Sequence, residues 1–450
     1  IHDEVERRTF QPYEKAVHSG HPAGNWWITG GNNWNSVCHA GVVTAALTLI
    51  DDPKRRAWYI AAAEKFMEPF FDGFTPDGYC SEGMGYWNYG FGHFTELAEI
   101  VWQATNGKVD FFTMPKVRNC SLFGLRMEVA PGLFAAFADC AITAKPNPSL
   151  VKFLSRRLQF GYKNYEKHEN RLGNLKSTGV YCFPNSATKI PAVSAATTPL
   201  EELRTEFPDA GIMIFRPKAG ETKQIAVACK GGHNDELHNH NDVGSFTVMY
   251  AGTLPILDPG GEVYTRRTFS GQRYESKLLN SFGHPVPMIN GQLQKTGRNA
   301  EGKIVAKNFS DEKDSYTIDI APAYGLKELK KLERTFEFTR SESGKPNSLT
   351  VTDAVELTPG GTFETALLSY EPWEKQGSDG SDGKVELIIG AKDKTVHVTV
   401  TAIIDGKPLP LEFNSLEIDE DAMAEKKPTR FSFKIKEPVT KADVKISITP

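Results

Sequence analysis

No two of the six cysteines are spaced as C-x-x-C: Cys38, Cys80, Cys120, Cys140, Cys182 and Cys229 are scattered, most in apolar surroundings such as Ala138-Asp139-Cys140. This points to buried free thiols and away from a disulfide framework, which belongs to small domains. No run of about 18 apolar residues occurs, so no membrane-spanning helix is expected. A basic excess is missing too. The formal net charge of -4 excludes a general nucleic-acid binder, although it leaves room for a local basic groove facing an acidic polymer. No leader pattern is visible, and because the chain opens on Ile1 rather than Met that absence excludes nothing. No internal repeat is evident.

What is present is ordinary in bulk and unusual in places. At 450 residues there is room for two or three domains with ample cores. Aromatic residues make up 11%, and many sit beside Gly and Asn rather than in apolar runs, which suits a sugar-binding cleft. Residues 1 to 35 are polar and aromatic with many Gly and Asn, and Asn25 to Trp34 reads as a loop exposing stacking and hydrogen-bonding groups. Helices are then expected at Ser36 to Ile50, Pro53 to Phe71, Phe94 to Ala104, Lys116 to Val129 and Ser149 to Tyr162, from apolar spacing and from Pro53 in a first turn. A second Gly-rich aromatic loop, Gly73 to Gly92, separates the second from the third. Helical hairpins stacked on one another follow from this alternation.

After a polar connection at 163 to 205 the pattern changes to period-two alternation with turns about every ten residues, the mark of antiparallel sheet. Expected domains are 1–195, helical, and 196–450, antiparallel sheet. Within the second lies the histidine-rich stretch Leu237-His238-Asn239-His240-Asn241-Asp242-Val243-Gly244-Ser245-Phe246. Phe246 to Leu257 reads as strand and ends at Asp258-Pro259-Gly260-Gly261, and His284 follows in Phe282-Gly283-His284-Pro285. If the backbone there is extended, His238 and His240 project to one face. Imidazoles at His240 and His284 with the Asp258 carboxylate would make a nitrogen and oxygen site suited to zinc; the alternative is that these histidines decorate loops. His39 and His93 read as helix residues packed locally.

Three stretches taken together resemble the heparinase II/III-like polysaccharide lyases, including the alginate and oligoalginate lyases. They are Asn32-Asn33-Trp34-Asn35, the loop Glu82-Gly83-x-x-Tyr86-x-x-Tyr89, and the region from His238 through Asp258 to His284. The resemblance implies an α+β multidomain fold: an N-terminal (α/α) toroid, then a C-terminal antiparallel β-sandwich, with the active site in the cleft between them. It implies Tyr86 and His238 as catalytic residues with Asn33, and one structural zinc ion on His240, Asp258 and His284. Asn32, Trp34, Glu82, Tyr89, Tyr264, Arg267 and Tyr274 become the expected substrate contacts. An acidic polysaccharide or oligosaccharide is the expected partner, with a periplasmic or secreted location and a homodimer as one admissible assembly.

Two departures from the family pattern stand out. Only about thirty residues precede the Asn-rich loop, so the toroid is expected to be incomplete in this chain. Trp34 occupies the place where several members carry a His, which leaves the uronate epimer open.

The residue types suit the reaction on chemical grounds. Eliminative cleavage removes the proton alpha to a uronate carboxylate and expels the 4-linked oxygen, so the carboxylate must be hydrogen-bonded or neutralised. An amide such as Asn33 does this without adding a base, and a phenol or imidazole carries the proton. A glycoside hydrolase would need two flanking carboxylates; Glu82 is one, and the Asn-rich loop offers no second. A non-catalytic glycan-binding protein with a structural zinc is the third reading.

Overall fold

The computed structural model describes residues 1–20, 24–168, 199–221, 223–342 and 345–450. Two compact units emerge, one of residues 1–126 and 145–198, the other of 127–144 and 199–450. The expected boundary at 195/196 lies outside the described residues. The excursion of 127–144 into the second unit has no counterpart in a single boundary.

In the first unit the longest helices are Asn33–Leu49, Pro53–Phe66, Gly92–Ala104, Val117–Arg126 and Pro148–Arg157. The expected loop Asn25 to Trp34 contains the helical turn Trp26–Ile28 and enters a helix at Asn33, and helix is present ahead of it as well. His2–Val5, Glu6–Phe10 and Gln11–Ser19 run on as consecutive helical segments. The Asn-rich stretch is itself a helix start, where the Asn32 side chain accepts from the Trp34 amide and caps the first turn. Arg55, donating to Glu6 and Glu14, ties the initial helix to Pro53–Phe66. Phe10, Tyr13, Ile28, Ala46 and Tyr59 pack between them. The fourth helix stops at Arg126, and the chain continues as the short strand Glu128–Ala130.

The second unit is antiparallel throughout its paired strands. A nine-stranded sheet includes Leu329–Thr339, Ser348–Gly361 and the last strand, Val439–Thr449, which inserts between Ser348–Gly361 and Lys394–Ile404. A five-stranded sheet runs from Arg204–Phe207 to Thr253–Ile256, and a four-stranded one includes Phe363–Ser369. One apolar core draws Phe246, Phe336, Phe363 and Phe431 from these three sheets. Phe246 to Leu257 is a hairpin rather than one strand: Phe246–Tyr250 turns back at Ala251-Gly252 into Thr253–Ile256. Two left-handed residues, Ala251 and Gly252, make that turn.

Alternation along Leu329–Thr339 buries Leu332, Phe336 and Phe338, and between them Arg334. Its cross-strand partner is Asp353, likewise on the buried face. The guanidinium forks onto both Asp353 oxygens at 2.7 Å. It also donates to the Gly244 carbonyl at 2.8 Å and the Pro285 carbonyl at 2.6 Å. One buried cation therefore joins the segment after His240 to the residue after His284. Removing one partner of such a pair strands the other charge. Arg334→Met is expected to lower unfolding free energy by about 3–5 kcal/mol, with Arg334→Met/Asp353→Leu recovering most of it. Equilibrium urea unfolding checks this; a single variant as stable as the parent contradicts it.

Candidate functional site

Residues 236–245 form an irregular segment with almost no secondary structure, held by side chains instead. Gln294 accepts from the Val243 amide at 3.1 Å and donates to the Val243 carbonyl at 2.7 Å. Lys230, itself buried, donates to Asp242 at 2.6 Å, and the Asn241 amide donates to Leu279. His238 is not in a strand: it sits in a turn with φ of +53°, a left-handed conformation uncommon outside glycine and costly unless its surroundings hold it. The expected strand-face argument for His238 and His240 is thus replaced by a turn.

The two rings nevertheless converge. His238 Nδ1 lies 2.7 Å from Asp139 Oδ2, and His240 Nε2 lies 3.0 Å from Asp139 Oδ1. Arg273 Nη2 adds a third donor to Oδ1 at 2.8 Å, while its Nε and Nη2 bind the Asn239 carbonyl. Burial would raise the Asp139 carboxyl, but the His238 and His240 hydrogen bonds and the Arg273 charge outweigh it and hold the carboxyl well below its usual range. An ionised carboxylate only accepts, so each ring donates to it. In a neutral His238 ring the lone pair is then on Nε2, and in His240 it is on Nδ1.

Asp139 comes from the 127–144 excursion, whose approach is close. The Gly261 amide donates to the Cys140 carbonyl at 3.0 Å. A Cβ on Gly260, at φ +69°, would fall 2.1 Å from that same oxygen. Only glycine fits there, and the turn after Asp258 seats the backbone that carries Asp139.

His240, Asp258 and His284 gather as expected, one ligand atom from each lying within 4.8 Å of the others, all buried. Asp258 Oδ2 accepts from Ser245 Oγ at 2.8 Å and from His284 Nδ1 at 2.9 Å, and Oδ1 accepts from the Gly260 amide. Within this cluster two ring nitrogens, His240 Nδ1 and His284 Nε2, are buried with no hydrogen-bond partner among the described residues. His240 Nδ1 carries the lone pair when Nε2 donates to Asp139. Burial pulls the His240 imidazole below its ordinary value despite Asp139, which favours the neutral, ligating form. Burial would also raise Asp258, but His284 draws it down to about 2. The carboxylate in turn lifts His284 against its own desolvation. A bare, buried His240 nitrogen beside the His284 Nδ1 and Asp258 Oδ2 pair fits a divalent cation such as zinc, which would take the place of the proton between that ring and the carboxylate.

The remaining sequence-derived residues fall as follows. In the first unit Asn33 is buried and clamped, its amide nitrogen and Nδ2 donating to the two Glu82 oxygens at 2.9 and 2.6 Å. Ser36 Oγ donates to the Gly90 carbonyl, and a Cβ at Gly90 would meet Asn33 at 2.8 Å. Tyr86 ends the short helix Met84–Tyr86, half-buried, and Tyr89 is exposed on the wide turn that follows. Trp34 is exposed, with its edge toward Trp26. His39 and His93 each bond the carbonyl four residues back, Asn35 and Tyr89. In the second unit Arg267 turns inward to Glu262 and Glu420. Tyr274 accepts from Asn239 Nδ2 at 3.0 Å, which makes it a support of the His238 turn. Tyr264 is exposed.

Asp139 and Arg273 complete this candidate site, and sequence reasoning missed them. The available signal was a lone carboxylate in the apolar run Phe134-Ala135-Ala136-Phe137-Ala138-Asp139-Cys140. Asp139→Ala leaves His238 and His240 without this acceptor and Arg273 without its buried counter-charge, and is expected to destabilise by about 3 kcal/mol, read by urea unfolding. A loss below about 0.5 kcal/mol, the range of ordinary surface changes, contradicts the anchoring role.

No protein-family model and no curated protein matches the sequence. Among solved structures, a crystal structure of heparinase III superposes with a TM-score of 0.64 at 14% identity, covering 93% of this chain and 61% of that one. The heparan sulfate lyase HepC from Pedobacter heparinus gives 0.60 at 15%, with 92% and 59% covered. This chain spans about three-fifths of the length of these neighbours. Its helices and antiparallel sheets have the heparinase III-like fold.

Proposed function

We propose that this chain is a polysaccharide lyase that cleaves uronic-acid-containing glycans by β-elimination, leaving an unsaturated uronate end. The observation that supports this most is the convergence of His238 and His240 on Asp139, next to the buried cluster of His240, Asp258 and His284. The heparinase III-like fold supports it at a coarser level, and the names of those neighbours make heparan sulfate the first polymer to try. In this reading the helices belong to an (α/α) toroid, the sheets form a β-sandwich, and the protein acts in the periplasm or outside the cell.

The assigned roles follow from the chemistry of each group. Asn33, its amide fixed by Glu82, hydrogen-bonds the uronate carboxylate and makes the neighbouring C–H more acidic. His238, with Nδ1–H held by Asp139, offers its Nε2 lone pair as a base, and Tyr86 transfers a proton to the 4-linked oxygen as it leaves. The C5–H and C4–O bonds break while the C4–C5 double bond forms. An unperturbed phenol, with a pKa near 10, suits an alkoxide leaving group at neutral pH. His240, Asp258 and His284 would hold zinc, whose fixed charge stabilises the turn carrying His238 and is not needed as a Lewis acid. Both Glu82 oxygens accept from Asn33, which counts against Glu82 as the acid of a glycoside hydrolase.

Ultraviolet absorbance of the conjugated uronate product tests the reading, on heparan sulfate, hyaluronan, chondroitin sulfate, alginate and ulvan. Absorbance is expected to grow on at least one polymer, and Tyr86→Phe to slow it by at least about a hundredfold with the fold intact. Cleavage without the double bond, or full turnover in Tyr86→Phe, contradicts the proposal or the assignment respectively.

A further inference from the structure

Beside His238 lies a chain of rings that the mechanism does not use. Phe269 is 65% exposed although its neighbour Thr268 is buried. Its ring is 6.4 Å from that of His238, edge to face at 89°, and 4.9 Å from that of Tyr264. Tyr264 is also exposed, and so is Arg266 between them.

Exposed aromatics on a loose loop would mean little, but this segment is pinned from beneath. Thr268 Oγ donates to Glu262 at 2.6 Å and accepts from the Thr265 amide at 3.0 Å. Arg267 binds Glu262 at 2.8 Å and Glu420 at 3.2 Å. Arg273, which holds Asp139, also donates to the Thr268 carbonyl at 3.1 Å. The Val263 amide donates to the Asp421 carbonyl at 2.7 Å. The inward residues Glu262, Arg267 and Thr268 thus pin the segment from which Tyr264, Arg266 and Phe269 project outward. The same Arg273 side chain links this scaffold to the His238 anchor.

We propose that Tyr264, Phe269 and Arg266 form a subsite that holds one ring of an acidic glycan next to His238. The C–H face of a pyranose stacks on an aromatic ring, which contributes apolar area with little loss of side-chain freedom. An exposed guanidinium grips a carboxylate or sulfate through paired donors. A stacked ring with one charged substituent is therefore the class of ligand that this surface fits. The inference rests on the lyase reading for the nature of the polymer. It also revises the sequence-based assignment, because the contact moves from the ion-paired Arg267 to Arg266.

The test is calorimetric titration of a size-defined heparan sulfate oligosaccharide into Tyr86→Phe protein, so that consumption of the probe is slowed, with further changes at the platform. Phe269→Ala is expected to weaken binding about tenfold, the scale of one aromatic contact, and Phe269→Trp to retain it. Arg266→Ala weakens binding and flattens its salt dependence, and Arg266→Lys restores part of both. In otherwise unaltered enzyme the same Phe269→Ala change raises KM far more than it lowers kcat. Equal affinity in Phe269→Ala and its parent, or no binding by the parent, overturns the subsite. Absence of unsaturated product from the unaltered protein overturns the lyase reading instead, and the titration still decides the platform.

Discussion

The carboxylate of Asp139 is fully buried, and it stays charged because three donors close on it at once. A buried ion of this kind is tolerated only when its lone pairs are used. Here their use organises the neighbourhood. One oxygen fixes the His238 ring in an otherwise unfavourable left-handed turn. The other orients His240, so that its Nδ1 faces the His284 and Asp258 side. Arg273 completes the set and carries the same constraint to Asn239 and Thr268. Position, tautomer and charge at the site thus share one acceptor.

Around that anchor the second unit supplies stiffness from several directions. The Arg334–Asp353 pair, set into the inward face of two neighbouring strands, reaches the segments following His240 and His284. Gly260 lets the turn after Asp258 lie against the backbone beside Asp139. Such ion pairs add little net stability compared with apolar packing of the same volume. Their value is directional: each forked hydrogen bond specifies where a loop must sit, which dispersion contacts alone do less sharply.

Much of this was legible from the chain. Period-two alternation located strands such as Leu329–Thr339 and Lys394–Ile404, because burying one face leaves no other pattern. His240, Asp258 and His284 were found because few residue types bind zinc. Asp139 was not, since it lies 99 residues before His238 and reads as the tail of a helical region. The helical turns from His2 to Ser19 were hidden by their polarity, and the Asn-rich run read as loop although Asn32 caps a helix there. The handedness of the His238 turn comes from tertiary contacts alone, and local sequence holds no sign of it.

The account depends most on the claim that one ring nitrogen each of His240 and His284 and a carboxylate oxygen of Asp258 form one cation site beside His238. Anomalous diffraction at the zinc edge, from crystals of protein supplied with zinc, reads that directly. A single peak about 2.0–2.2 Å from those two nitrogens and an Asp258 oxygen, with His238 still on Asp139, is the predicted result. A peak elsewhere, or zinc bound through His238, would contradict it.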